Sequence, residues 1–448
     1  MTTSQLHIAL LAFPFGSHAA PLLTLVQKLS PFLPSDTIFS FFNTSQSNTS
    51  IFSEGSKPDN IKVYNVWDGV TETNGNKPVG LEAIKLFIQA TPTNFEKVMK
   101  EAEEETGVKF SCIFSDAFLW FSYKLAEKIN VPWIAFWTAA SGSLSVHLYT
   151  DFIRSNDETS LNIPGFSSTL KISDMPPEVM AENLDLPMPS MLYNMALNLH
   201  KAAAVVLNSF EELDPTINKD LKVKLQKVLN IGPLVLQPTS PKKVLDACDE
   251  RGCIIWLEKQ KEESVVYLSF GTVTTLPPNE IVAVAEALEA KKFPFIWSLK
   301  DNGIKNLPTG FLERTGQFGK IVSWAPQLEI LNHSAVGVFV THCGWNSILE
   351  GISCGVPMIC RPFFGDQKLN SRMVESVWQI GLQIEGGSFT KIGTISALDT
   401  FFSEEKGKVL RENVKGLKER ALEAVKPDGS SSKNFKDLVE LVKCHKLT

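Results

Sequence analysis

Short apolar runs alternate with longer amphipathic stretches along this chain, and the alternation occurs twice with a break between. In the first half, apolar runs at 8–13, 37–42, 61–66, 111–115 and 133–137 read as buried strands, while 21–29, 81–105 and 122–129 carry helical periodicity. Strands that alternate with helices pair in parallel through right-handed crossovers, so this half is expected to form one doubly wound sheet. Over 231–250, IGPLVLQPTSPKKVLDACDE, Pro and Lys accumulate and the apolar period fades, which marks a linker. Runs at 265–270, 295–299, 321–323, 336–341 and 357–360 then predict a second doubly wound sheet. A length of 448 residues exceeds what one core supports and agrees with two domains. The expected division is an α/β domain over 1–237, a linker over 238–251, a second α/β domain over 252–430 and a tail over 431–448. In that tail the Ser-rich stretch 429–432 precedes a terminal helix over 434–443, expected to pack back toward the first domain.

The balance of 43 Lys and Arg against 49 Asp and Glu, with no basic run, argues against a nucleic-acid partner. Seven cysteines at 112, 248, 253, 343, 354, 360 and 444 lack the paired spacings of a zinc site or a redox motif and read as reduced, buried thiols. The apolar run 8–13 has no Lys or Arg before it and meets Pro14, so it does not read as a signal peptide. No run approaches the roughly 18 apolar residues of a membrane span. Asn43 and Asn48 begin glycosylation sequons that would matter only in a secreted chain. A monomer in the cytoplasm is the expected state.

Ligands of open α/β sheets bind outside the carboxyl ends of the strands, so two such sheets are expected to share a cleft. The richest stretch is WAPQLEILNHSAVGVFVTHCGWNSILEGISCGVPMICRPFFGDQ, residues 324–367. Its strand 336–341 runs through His342, Cys343 and Gly344 into a helix opening at Trp345 and Asn346. A helix N-terminus offers free N–H groups and partial positive charge, which suits a diphosphate. Gly344 permits close backbone approach, and Asn346 and Ser347 can cap the helix or donate to phosphate. Ser269, Phe270, Gly271 and Thr272 end another strand and add a glycine turn and a hydroxyl donor. Trp324 has a face for a base, Glu350 follows Asn346 by one helical turn, and Asp366 with Gln367 offers the acceptors and donors that sugar hydroxyls need. Singly, such residues more often fill a core or a solvated face; the ordered set is what carries the argument. The glycine fingerprint of dinucleotide enzymes, GxGxxG, is absent from both halves, which argues against a nucleotide-dependent oxidoreductase.

This 44-residue stretch, with HCGWNS at its centre, strongly resembles the signature box of the plant UDP-dependent glycosyltransferases. The resemblance implies the GT-B fold, two facing Rossmann-like domains with the site between them. It implies that Trp324 stacks on uracil, Ala325 meets it through its backbone, and Gln327 and Glu350 hold the ribose. His342, Asn346, Ser347 and Thr272 would bind the diphosphate beside Trp345, and Asp366 and Gln367 would grip the sugar, the terminal Gln pointing to glucose. The UDP-sugar is then a co-substrate, with no further cofactor. Metal is not expected, and the sequence has no Asp-x-Asp motif.

Transfer to a hydroxyl needs a base. His18 follows the first strand where a helix begins, and Asp116 closes the 111–115 strand. Their separation of 98 residues says little by itself; by the resemblance they are base and orienting carboxylate of an inverting, single-displacement reaction. The segments PFGSHAAPLL, IAFWTAASGSLSVHLY and RPFFGDQKLNSRMVE resemble the flavonoid and anthocyanidin 3-O-glucosyltransferases within that family. This implies UDP-glucose and a small aromatic acceptor, with Thr138 reaching the transferred sugar and Phe13, Ser17, Phe118, His147 and Phe364 lining the acceptor pocket. Rival readings are another UDP-sugar such as galactose or rhamnose, another phenolic acceptor, or a binding protein that has lost catalysis; the last would show damage at His18 or Asp116, and both residues are present. Acceptor contacts in 171–190 carry no assignment.

Overall fold

The computed structural model describes residues 5–443 apart from 16–17, 53–57, 71–77, 79, 157–160, 167–169, 237–250, 272 and 404. The expected linker therefore lies outside the described residues except for Arg251. Seven parallel strands form the first sheet: β1 (His7–Leu11), β2 (Ile38–Asn43), β3 (Ile61–Asn65), β4 (Cys112–Asp116), β5 (Trp133–Trp137), β6 (Ala204–Leu207) and β7 (Val228–Asn230). Their spatial order is β3-β2-β1-β4-β5-β6-β7. Six more make a second parallel sheet: β8 (Val265–Ser269), β9 (Phe295–Ser298), β10 (Gly319–Val322), β11 (Val336–Thr341), β12 (Met358–Cys360) and β13 (Gly381–Gln383), in the order β10-β9-β8-β11-β12-β13. Helices cover both sheets, so central strands are buried along their whole length; β1, β4, β5, β8 and β11 have no exposed residue.

Three departures from the sequence reading have local causes. The helix expected over 81–105 is two helices, Leu81–Ala90 and Thr93–Thr106. Pro92 lacks an N–H and disfavours helical backbone at Thr91, which is extended at ψ 154°. Strands β6, β7 and β13, of four, three and three residues, are too short to give a periodic signal and are formed by pairing with neighbours remote in sequence. The terminal helix starts at Ser430, so the Ser-rich stretch opens it rather than preceding it. That helix, Ser430–Lys443, presents Phe435, Leu438, Val439 and Val442 at helical spacing. They bury among Leu229, Ile231 and Leu29 of the first domain, each large side chain contributing roughly 1.5–3 kcal/mol of transfer free energy. Ser431 Oγ donates to the Gly232 carbonyl at 2.6 Å and Asn434 Nδ2 to the Asn230 carbonyl at 3.0 Å. Among the described residues no helix is long and apolar enough to cross a membrane.

Each strand order reverses once, between β1 and β4 in the first sheet and between β8 and β11 in the second. At such a switch point adjacent loops diverge and leave a crevice. The residues after β1, β4, β8 and β11 are therefore the ones topology places at a site.

Candidate active site

On the first domain, His18 is the residue before helix Ala19–Leu29 and Asp116 ends β4. Pairing of β1 with β4, Leu11 opposite Ser115, brings these distant residues together. His18 Nδ1 lies 2.8 Å from Asp116 Oδ2 and 3.0 Å from Thr138 Oγ1. The Phe118 N–H donates to Asp116 Oδ1 at 2.9 Å, which fixes the carboxyl group. Asp116 is 1% exposed and the His18 side chain 20%, so the carboxylate is hidden while the imidazole edge reaches the cleft. Donation of Nδ1–H to Asp116 leaves Nε2 as a proton acceptor.

Aromatic rings surround that imidazole. Phe118 lies 4.5 Å from it and Phe13 5.2 Å, ring centre to ring centre, and Phe15 packs on Phe13 at 5.3 Å. Trp137 extends the wall from Phe118 to His147, with ring centres 5.8 Å apart on each side. His147 is buried, and loss of solvation lowers its pKa to about 4, so it acts as a neutral ring.

On the second domain, β11 turns through Cys343, held at φ +65°, into helix Trp345–Cys354. A side chain other than glycine in this conformation is costly and recurs at functional turns. Gly344 precedes the helix without a side-chain cap, so first-turn N–H groups remain available to an anion. The His342 ring is wedged between two glycines: a Cβ at Gly344 would stand 2.5 Å from its Nε2, and one at Gly271 2.9 Å from its Cε1. Burial lowers the His342 pKa to about 4, and its Nδ1 is buried with no hydrogen-bond partner among the described residues.

These walls border one cleft that opens to solvent. His18, Phe118, Thr138 and His147 line it from the first domain, and His342, Trp345, Asn346, Ser347, Phe364, Asp366 and Gln367 from the second. Gln367 accepts the Phe363 and Phe364 N–H groups on Oε1, at 2.8 and 3.3 Å, which leaves its amide nitrogen as the group to offer a ligand. Asp366 accepts from Asn370 Nδ2 at 2.9 Å; burial raises its pKa, while that bond and the nearby His18 oppose the shift. The remaining expected donor residues lie beside the cleft. Gln327 Nε2 donates to Glu350 Oε2 at 2.5 Å and to Ser347 Oγ at 3.2 Å, and Tyr267 donates to Gln327 Oε1 at 3.2 Å. Burial raises the Glu350 pKa, and the Gln327 bond pulls it back. Ala325 is buried, whereas Trp324 is 55% exposed, a flat face open to solvent. Ser17 and Thr272 lie outside the described residues.

A model of the UDP-glucoronosyl and UDP-glucosyl transferase family matches residues 42–419. The chain belongs to this family. It is 77% identical to an anthocyanidin 3-O-glucosyltransferase of Solanum melongena over 428 residues, 95% of this chain and 97% of that one. It is 52% identical to a flavonol 3-O-glucosyltransferase of Actinidia chinensis var. chinensis over 458 residues, 98% of each chain. A crystal structure of a UDP-glucose:anthocyanidin 3-O-glucosyltransferase in complex with UDP superposes with a TM-score of 0.92 at 41% identity, covering 98% of this chain and 99% of that one. The GT-B fold of two facing parallel-sheet domains is thus common to this glycosyltransferase and its relative.

Sequence reasoning missed part of the cleft. Pro176, Glu178 and Met188 line it from the segment that carried no assignment, and Leu192 from just beyond it. Glu178 is an acid between apolar residues, as is Asp185, and the sequence does not single it out; burial raises its pKa. His147 and His342, with buried His7 lowered in the same direction, also set a pH limit on this enzyme. The unfolded chain protonates His147 and His342 near pH 6.5, and the folded chain only near 4, so stability is lost as pH falls through that window. From pH 7 to 5 each costs roughly 2 kcal/mol. Asp214, raised to about 6 by burial, works in the opposite sense and restores roughly 1 kcal/mol, and Glu178, Glu350 and Asp366, raised by burial, act in the same direction as Asp214. Urea unfolding is expected to show a lower midpoint at pH 5 than at pH 7, with a smaller difference in His147→Gln; an unchanged difference would exclude this cause.

Proposed function

We propose that this enzyme transfers glucose from UDP-glucose to the 3-hydroxyl of a flavonoid, an anthocyanidin or flavonol, with inversion at the anomeric carbon. The observation that carries the reading is a single aromatic cleft with the His18–Asp116 pair on one wall and His342, the capless helix and the Asp366–Gln367 pair on the other. A flat polyphenol stacks against Phe118 and Trp137 with a hydroxyl at His18 Nε2; Phe13, expected in that wall, is 2% exposed, does not line the cleft and backs Phe118 and His18 from behind. The base takes that proton as the oxygen attacks the anomeric carbon, and Asp116 stabilises the resulting imidazolium through Nδ1–H. Negative charge grows on the departing diphosphate, where the N–H groups of the Trp345–Cys354 helix and the His342 ring stabilise it. Asp366 accepts from sugar hydroxyls and the Gln367 amide donates to one. Thr138, beside His18, stands where the sugar and the acceptor meet. Gln327 and Glu350 hold the ribose, and Trp324 covers the base.

The experiment is mass spectrometry of products formed from UDP-glucose with flavonols, anthocyanidins and simple phenols, run on the wild type and on Gln367→Glu. A hexose on flavonoids alone supports the reading, whereas transfer only from another UDP-sugar would overturn the donor. The variant keeps the oxygen that accepts from Phe363 and Phe364 and loses the amide donor. Its KM for UDP-glucose is expected to rise roughly tenfold, the worth of one hydrogen bond of about 1.5 kcal/mol. Inhibition by UDP should change less than about twofold; equal weakening of both would remove Gln367 from the sugar site.

A further inference from the structure

The elements that carry the donor residues are also the elements that dock the second domain on the first. Trp345, first residue of the diphosphate helix, donates its indole N–H to the Asn208 carbonyl at 2.9 Å. The helix Gln367–Arg372 begins next to Asp366, and at its other end Arg372 meets Asp174 at 3.0 Å. One π-helical turn, Met373–Val377, then leads to Trp378. The Trp378 indole N–H donates to Asp214 Oδ1 at 2.8 Å, and Asp214 Oδ2 accepts from Ser141 Oγ at 2.8 Å. All three groups are buried, Asp214 at 5% exposure, Trp378 at 7% and Ser141 at 0%.

Ser141 opens helix Ser141–Leu148, whose Ser143 and His147 line the cleft, and it lies three residues beyond Thr138, which touches His18. Asp214 therefore holds, on its two oxygens, the run behind the sugar pair and the helix behind the acceptor wall. A buried carboxylate is costly, and apolar residues of similar volume would pack the two domains at least as well. What a carboxylate adds is a fixed distance and direction between its two donors. Transfer requires that registry, because misplacing reacting groups by about 1 Å costs on the order of a hundredfold in rate.

We propose that Asp214 is a positioning residue that sets the donor domain against the acceptor helix, so that the anomeric carbon meets the hydroxyl above His18 rather than water. The proposal rests on the glucosyl-transfer reading given above. Its signature is uncoupling. In the coupled reaction each UDP released accompanies one glycoside; in the uncoupled one, water attacks, its proton is lost, and glucose and UDP appear instead.

The test measures UDP and glycoside in the same reaction, with acceptor KM and UDP affinity, for the wild type, Trp378→Phe, Ser141→Ala, Asp214→Asn and Asp214→Ala. Wild type is expected to give about one UDP per glycoside. Trp378→Phe and Asp214→Ala are expected to give at least about three, with kcat/KM for the acceptor about tenfold lower and UDP affinity within about twofold, and Ser141→Ala to move the same way by less. Asp214→Asn retains both bonds, Oδ1 accepting the indole N–H and Nδ2 donating to Ser141 Oγ, and is expected to restore the ratio to near one. A ratio of one in Trp378→Phe and Ser141→Ala, with activity falling only as the folded fraction falls, would overturn the proposal. So would Asp214→Asn as uncoupled as Asp214→Ala. Where Trp378→Phe fails to bind UDP and so to fold, Ser141→Ala decides. Failure of wild type to glucosylate any flavonoid would instead count against the functional reading.

Discussion

Replacing His18 with Ala is expected to lower kcat/KM for the flavonoid by a factor of about 1000 or more while leaving UDP affinity within about twofold. The size follows from what the imidazole does: an alcohol oxygen that keeps its proton is a poor nucleophile, and a positioned base supplies about 10² to 10⁴ in rate. The selectivity follows from topology. His18 stands at the β1–β4 switch point, whereas the nucleotide elements stand at the β8–β11 switch point of the other sheet. Removing the imidazole alters none of the residues proposed to hold the diphosphate. The measurements are steady-state rates and UDP titration by calorimetry. A variant that kept most of its turnover would show that another group takes the proton. Asp116→Asn, with the tautomer disturbed and the ring in place, is expected to fall between the two.

Gly344→Ala is expected to do the converse. Glycine here has φ −63° and ψ 142°, a backbone any residue adopts, so the added methyl group acts by contact rather than by strain. Its Cβ would stand 2.5 Å from His342 Nε2, and the ring cannot retreat because Gly271 lies against it on the other side. The imidazole must leave the diphosphate site or the turn before helix Trp345–Cys354 must open. Either loss is worth about 2 kcal/mol or more of charge-assisted hydrogen bonding, so the dissociation constant for UDP should rise roughly 30-fold or more. His18 and Asp116 belong to the other sheet, and kcat at saturating donor is expected to fall less than KM rises. UDP affinity within about threefold of wild type would show that the wedge of His342 is not what shapes the phosphate site.

Much of this architecture was legible in the sequence because buried parallel strands leave uninterrupted apolar runs. The run VGVFVT of β11 and its exit through HCGWN mark a buried strand leading into a helix before any pairing is known. The pairing itself was not legible. His18 and Asp116, 98 residues apart, meet only because β1 and β4 are neighbours, a relation that no local pattern records. For the same reason β6, β7 and β13 escaped notice: three or four residues become a strand when a formed sheet offers them an edge. Trp345 illustrates a second limit. Expected on the nucleotide side, its indole is spent on the Asn208 carbonyl of the other domain, a use that depends on domain docking and leaves no trace in spacing. Pro176 and Glu178 enter the cleft from an irregular segment, where there is no period to read, and Met188 and Leu192 from helix Pro187–Asn198, whose place against the cleft is set by packing rather than by its own pattern.

The terminal helix changes how the two domains can move. After the last helix of the donor domain, Glu405–Ala424, the chain returns to β7 of the acceptor domain and anchors there through Phe435, Leu438 and Ser431. The domains are therefore joined by the polypeptide at two places, once through 237–250 and once near 425–430. A body hung on one thread can swing, slide and spin, whereas a body hung on two swings about the line that joins them. Two such connections leave the domains fewer independent relative motions than one would.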